Sequence, residues 1–214
     1  MDAPTRRGRV APVLPIAAPA DTLPASLPAV VDAIWASAER GVAERWTAWG
    51  LPTLATAGAN GMPQARVVAL RGVERERRTL WFHSDRRSAK FAELQADPRA
   101  SVLFWSPEDA VEVRLAGRVA LHVDDPVAHA AWTHASPLSR SAAQIALAPG
   151  TTLHAPTPFE SLVQEGDPEM AFSHFAALAF VAEALDWLWL GPRDLRRARL
   201  TWIGHDWVGH WIVP

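Results

Sequence analysis

Between residues 51 and 123 the chain is cut into short apolar windows: "LPTLAT", "ARVVAL", "TLWFHS", "ASVLFW" and "AVEVRLAGRVALHV". Each is bounded by turn formers or charge, the pattern of strands rather than helices. "GANGMP" separates the first two, and its Asn60-Gly61 pair is the favoured dipeptide of a tight hairpin. The last third adds "FAALAFVAEALDWLWL", "RARLTWI" and "DWVGHWIV", again strand-like. So many short strands with so few helices restrict the chain to a mainly β architecture. The expectation is a closed or partly closed antiparallel barrel with helical additions.

Three helical segments interrupt the strands. Residues 29–48 place Val30, Ile34, Ala38, Val42 and Trp46 at helical spacing. Ser88 stands where an N-cap should be for a helix running to Asp97, which Pro98 stops. Asp125-Pro126 pairs an N-cap with a first-turn proline for a helix through Ala135. Residues 148–170 have the turn formers and low periodicity of a long loop. Residues 1–28 hold Pro4, Pro12, Pro15, Pro19, Pro24 and Pro28, so they are expected to form an extended or disordered arm. Arg6, Arg7 and Arg9 precede an apolar stretch, but prolines interrupt it where a signal peptide keeps an unbroken run. The expected organisation is this arm followed by one domain over 29–214.

Composition removes several function classes. The chain has no cysteine, which excludes disulfides, thiolate metal sites and a cysteine nucleophile. Its eight histidines show no metal-binding spacing such as H-E-x-x-H, so no metal site is expected. A net charge of −2 argues for neither nucleic acid nor an anionic membrane as partner. No apolar run approaches the ~20 residues of a membrane span, and a cytoplasmic location is expected.

Charge is concentrated in one region. Residues 66–99 hold Arg66, Arg71, Arg75, Arg77, Arg78, Arg86, Arg87, Lys90 and Arg99, and Lys90 is the single lysine among 21 strongly basic residues. "RGVERERR" reads as a hairpin tip with solvated charges. Arg66 instead begins an apolar strand, Ser84 ends the next, and Ser88 opens a helix whose free N–H groups favour an anion. Arg66, Ser84, Ser88 and Lys90 would make a compact phosphate seat. A structural ion-pair cluster is the alternative.

"PQARVVALRG", "LWFHSDRRSAKFAEL", "ADPRASVLFW" and "VEVRLAGRVALH" follow the order and spacing of the pyridoxamine 5′-phosphate oxidase-like flavin-binding split barrels. From about residue 30 onward the chain resembles the general FMN-binding branch of that family more than the vitamin B6 enzyme itself. The resemblance implies a six-stranded antiparallel Greek-key barrel and a homodimer with FMN in clefts at the subunit interface. It assigns the phosphate to Arg66, backbone contacts to Val67 and Val68, and an aromatic–Thr pair to His83 and Ser84. The family's Ser-Arg-Lys falls on Ser88, Ala89 and Lys90, so one phosphate arginine is missing and Arg86 or Arg87 is the expected substitute. A flavin-side glutamine becomes Glu112, with Arg114 expected too far along the alternation to share its face. A late tryptophan and arginine fall on Trp189 and Arg199.

The resemblance also bears on substrate. The residues that hold the B6 phosphate in the true oxidases appear here as Trp132, Ser136 and Arg140, and "LRRAR" (195–199) lacks the histidine of the matching C-terminal motif. The expectation is an FMN-dependent oxidoreductase acting on a different small molecule, with His83 a candidate proton donor. A split barrel that stores flavin or binds haem or a deazaflavin, or a ligand-free scaffold, are the alternatives; the colour of the purified protein separates them.

Overall fold

The structure is a computed structural model that describes residues 23–163, 168–192 and 194–214. The expected proline-rich arm lies outside the described residues as far as residue 22. Its end is ordered by α1 (Leu27–Ala43), where Pro28 sits in the first turn and the Ser26 hydroxyl accepts from the Ala29 amide at 3.3 Å. Val30, Ile34, Trp35 and Ala38 bury one face of the helix. The helix begins before the expected residue 29 and stops short of 48. The Thr47 hydroxyl donates to the Glu44 carbonyl at 2.7 Å, turning the chain back, and Trp46 is left 86% exposed.

Among the described residues nine strands follow: β1 (Thr53–Ala57), β2 (Pro63–Val67), β3 (Leu70–Glu74), β4 (Thr79–Asp85), β5 (Arg99–Ser106), β6 (Val111–His122), β7 (Phe175–Leu190), β8 (Leu195–Trp202) and β9 (Trp207–Ile212). All pairings are antiparallel, in the order β2-β1-β5-β6-β7-β4-β3, with β8 on β7 and β9 on β8. Flat, seven strands would span about 29 Å at ~4.8 Å per spacing. Yet β2 and β3, at opposite ends of that order, are joined by Val68 and Ala69 alone, three residue steps that reach about 10 Å. The sheet must therefore curl into a barrel.

"ARVVAL", expected as one strand, is broken at this closure. The Val68 amide bonds the Pro52 carbonyl and the Leu70 amide the Gly50 carbonyl, which hands the chain from β1 to β4. Taken as one bent strand, β2–β3 makes the ring six-stranded, as expected, while β8 and β9 extend it beyond that number. β7 is the pivot. It pairs β6 throughout, β4 over its first half and β8 over its second. The β6 register shifts at Gly117, where a Cβ would lie 2.0 Å from the Val181 carbonyl oxygen, so only glycine allows the crossover.

Leu54, Leu80, Phe82, Phe104, Leu115 and Phe180 fill the barrel. Around it lie α2 (Ala89–Ala96), α3 (Pro126–Thr133), α4 (Pro137–Ala143), α5 (Phe159–Leu162) and α6 (Pro168–His174). Two of these, α5 and the start of α6, fall in the expected loop over 148–170, and α3 ends before Ala135 because the chain breaks into α4, capped by Ser136. No described helix is long and apolar enough to cross a membrane.

Candidate functional site

Four of the expected site residues come together where α2 closes one end of the barrel. Arg66 lies opposite Leu54 in the β1–β2 ladder and so shares the inward face of Leu54 and Thr56. Its Nη1 donates to Thr56 Oγ1 at 2.5 Å and its Nη2 to Glu93 Oε2 at 2.7 Å. Ser84, on the inward face of β4, hydrogen-bonds Ser88 Oγ at 3.1 Å, and Lys90 Nζ donates to Ser88 Oγ at 3.3 Å. Burial, and next the Arg66 charge, push the Lys90 ammonium below its usual range, while Asp85 and Glu93 pull the other way. Ser88 is the N-cap of α2 by backbone conformation, but its side chain makes no capping bond, contrary to expectation. Ser84, Ser88 and Lys90 are thus linked by hydrogen bonds at the start of α2, and Arg66, held by Thr56 and Glu93, lies near enough for its charge to act on Lys90. Glu93 and Thr56 are the residues that sequence reasoning missed. They orient Arg66, and nothing in the order of residues pairs them with it.

The missing arginine at Ala89 has no replacement in Arg87. That guanidinium is bound to both Asp85 oxygens and donates to the Ile145 and Ala146 carbonyls at 2.8 Å each. It pins a loop instead. Arg86 points to a separate cleft lined by Trp132, Phe172 and Phe175.

Val68 is buried beside the seat's strand, whereas Val67 is 64% exposed. Along β4 the alternation sends His83 to the opposite face from Ser84. With Trp81 it lines a cleft of about 830 Å³ beneath α3, shared with Arg71, His122, His134 and Ser136. Burial, and then the Arg71 charge, push His83 down to about 4, so its imidazole is neutral near pH 7. That counts against its expected role as a proton donor. Among the described residues, buried side-chain polar atoms without a hydrogen-bond partner are Arg78 Nε, His83 Nδ1 and Trp189 Nε1. Two of the three belong to residues expected at the cofactor.

The remaining expected residues take no part in the seat. Glu112 and Arg114 do share a face, since residues two apart on a strand point the same way, and Arg114 Nε lies 3.5 Å from Glu112 Oε1. The expectation that alternation separates them was wrong. Asp186 anchors this outward patch, accepting from Arg114 at 2.9 Å, Arg197 at 2.8 Å and Arg199 at 3.1 Å. Burial pushes the Asp186 carboxyl up, but the Arg197 and Arg199 bonds outweigh it and leave the group at about 2. Trp189 is buried on the other face of the β7–β8 ladder, its ring packed over Gly191, so it and Arg199 do not meet within the chain. Arg140 donates to the Thr133 carbonyl at 2.7 Å, and Ser136 caps α4, which occupies two of the positions matched to B6-phosphate holders.

The chain is similar to known proteins in sequence and fold. The family model described as pyridoxamine 5′-phosphate oxidase matches residues 42–160. The pyridoxine/pyridoxamine 5′-phosphate oxidase of Thermosynechococcus vestitus is 45% identical over 67 residues, 31% of each chain. That of Alcanivorax borkumensis is 47% identical over 58 residues, 27% of each. The match thus spans about a third or less of these relatives' length. A pyridoxamine 5′-phosphate oxidase-related, FMN-binding protein of Nostoc punctiforme superimposes with a TM-score of 0.71 at 25% identity, covering 90% of this chain and 99% of that one. PhzG of Burkholderia lata, solved with tetrahydrophenazine-1-carboxylic acid, has the same fold, with a TM-score of 0.64, 18% identity and coverage of 91% and 95%.

Proposed function

From the premise that the chain belongs to the pyridoxamine 5′-phosphate oxidase family, we propose that it is an FMN-dependent oxidoreductase acting on a small molecule other than pyridoxine or pyridoxamine 5′-phosphate. The observation that carries the reading is the hydrogen-bonded group of Ser84, Ser88 and Lys90 at the start of α2, with Arg66 close enough for its charge to act on Lys90. Arg66 and Lys90 would hold the FMN phosphate, with the two serine hydroxyls and the uncapped first turn of α2 completing its partners. Bound there, FMN supplies a two-electron acceptor for hydride. His83 and Trp81, on the wall of the neighbouring cleft, would orient a substrate and exclude water.

Within the subunit Trp189 packs over Gly191 and Arg199 pairs with Asp186. A homodimer in which the partner presents them to the flavin accounts for their match to the family motif. The substrate restriction rests on Arg140 and Ser136, both engaged in local structure. The test uses the FMN-loaded protein. Anaerobic mixing with NADH or NADPH should bleach the flavin and oxygen should restore it, while pyridoxine 5′-phosphate should yield no steady pyridoxal phosphate. A bound flavin inert to every hydride donor would make the protein a binding module, and steady pyridoxal phosphate would overturn the substrate restriction.

A further inference from the structure

A second cavity, of about 280 Å³, opens between α1, the β5–β6 turn and β7. It shares no lining residue with the cleft that holds His83. Ile34, Trp49, Val111 and Trp187 form its apolar walls, and Ser37, Arg40 and Asp109 are its polar lining.

The protein itself uses these three polar side chains only in part. Ser37 is 9% exposed, and its Oγ accepts from Arg40 Nη2 at 3.1 Å. Among the described residues the Ser37 hydrogen has no acceptor, and Arg40 makes no other side-chain hydrogen bond and no ion pair. The α1 side of the cavity therefore holds an O–H and several N–H donors without partners. The β5–β6 turn supplies the opposite chemistry. Asp109 Oδ2 accepts from Trp49 Nε1 at 3.1 Å and from Ser106 Oγ at 2.7 Å, while Oδ1 accepts from no described residue. The next residue holds this carboxylate in place. Ala110 is fully buried in a left-handed conformation, φ 52°, and its carbonyl accepts from the Leu190 amide at 2.8 Å.

We propose that this cavity binds a small apolar α-amino acid. Its carboxylate would accept from the Ser37 hydroxyl and the Arg40 guanidinium, its ammonium would donate to Asp109 Oδ1, and its side chain would pack on Trp49 and Trp187. A zwitterion answers both sets of unpartnered groups at once. An amine alone places a second cation beside Arg40, and an acid alone places a second carboxylate beside Asp109. The volume is at the small end of ligand sites, which suits a molecule of about ten heavy atoms. No flavin takes part, so the outcome is independent of the FMN reading.

The test follows the Trp49 indole N–H resonance of the isotopically labelled full chain during titration with leucine. Three analogues each remove one feature: 4-methylpentanoate the ammonium, isoamylamine the carboxylate, and glycine the side chain. Leucine should bind with a dissociation constant of about 1 mM or below, and each analogue at least tenfold more weakly. Asp109→Asn, which keeps an acceptor for Trp49, should weaken leucine about tenfold and leave 4-methylpentanoate unchanged. Arg40→Gln and Ser37→Ala should weaken both carboxylates and spare isoamylamine. The analogue series on wild type decides the matter even where a variant folds poorly. A Trp49 resonance unmoved by about 20 mM leucine overturns the proposal. So do analogues that bind as tightly as leucine, or leucine binding undiminished in both Arg40→Gln and Asp109→Asn.

Discussion

Replacing Lys90 with alanine removes one of the two cations at the start of α2 while leaving the Arg66–Glu93 pair and the Ser84–Ser88 bond in place. Alanine is a good helix former, and Lys90 lies in the first turn of α2, so the fold and melting temperature should change little. What changes is the phosphate. A charge-assisted hydrogen bond contributes about 1.5–3 kcal/mol. A central value of ~2 kcal/mol weakens FMN about thirtyfold. Arg66→Ala should cost more, because it also leaves Glu93 as an unpaired, largely buried carboxylate beside the phosphate. Fluorescence titration with FMN and with riboflavin, which lacks the phosphate, separates the two effects. Lys90→Ala should weaken FMN alone. The ammonium is pushed below its usual range, so wild-type FMN affinity should also fall as pH rises through that lowered value, while riboflavin affinity does not. Equal weakening of both ligands, or of neither, would refute the phosphate role and leave Lys90 as one member of an ion-pair cluster.

Further outcomes follow from the same geometry. His83 is neutral in the fold at about 4 against 6.5 for the free side chain, so the unfolded chain binds the extra proton first. Stability should fall as pH drops from 6.5 towards 4, by at most ~3 kcal/mol, and chemical denaturation of His83→Leu should show a shallower loss. Gly117→Ala drives a Cβ onto the Val181 carbonyl, so it should destabilise by about 3 kcal/mol or more, and wild-type stability in that variant would refute the crossover geometry. Asp186→Asn should cost about 2 kcal/mol near pH 7, less than a fully buried network because Arg114 and Arg199 are about half exposed. Its carboxyl is depressed to about 2, so that contribution is present above pH ~4 and lost as pH falls through 2, where mutant and wild-type denaturation curves should converge.

The β elements were legible where periodicity met a clear stop. β7 coincides with its 16-residue apolar run, and the Asn60-Gly61 turn lies between β1 and β2. The break at Val68–Ala69 was not legible, because an unbroken apolar run gives no sign of a change of partner strand. The six-stranded ring was anticipated, whereas β8 and β9 extend it as a branch that strand windows cannot order. The grouping of Ser84, Ser88 and Lys90, with Arg66 nearby, could be read from residue types at two strand ends and one helix start. Its Glu93 and Thr56 could not, since their pairing with Arg66 exists only after α2 folds over β1. Trp189 and Arg199 were grouped by motif order alone, and register parity puts them on opposite faces. Asp125 was visible as an N-cap, but its second bond, to His122, depends on the turn between β6 and α3.

The absorbance spectrum of the full-length protein, taken after FMN addition and desalting, tests the central claim most directly. An oxidised-flavin spectrum at about one FMN per subunit, lost with Arg66→Ala and reduced with Lys90→Ala, is the predicted result. A colourless protein, or one that carries a different chromophore and releases FMN on desalting, would contradict it.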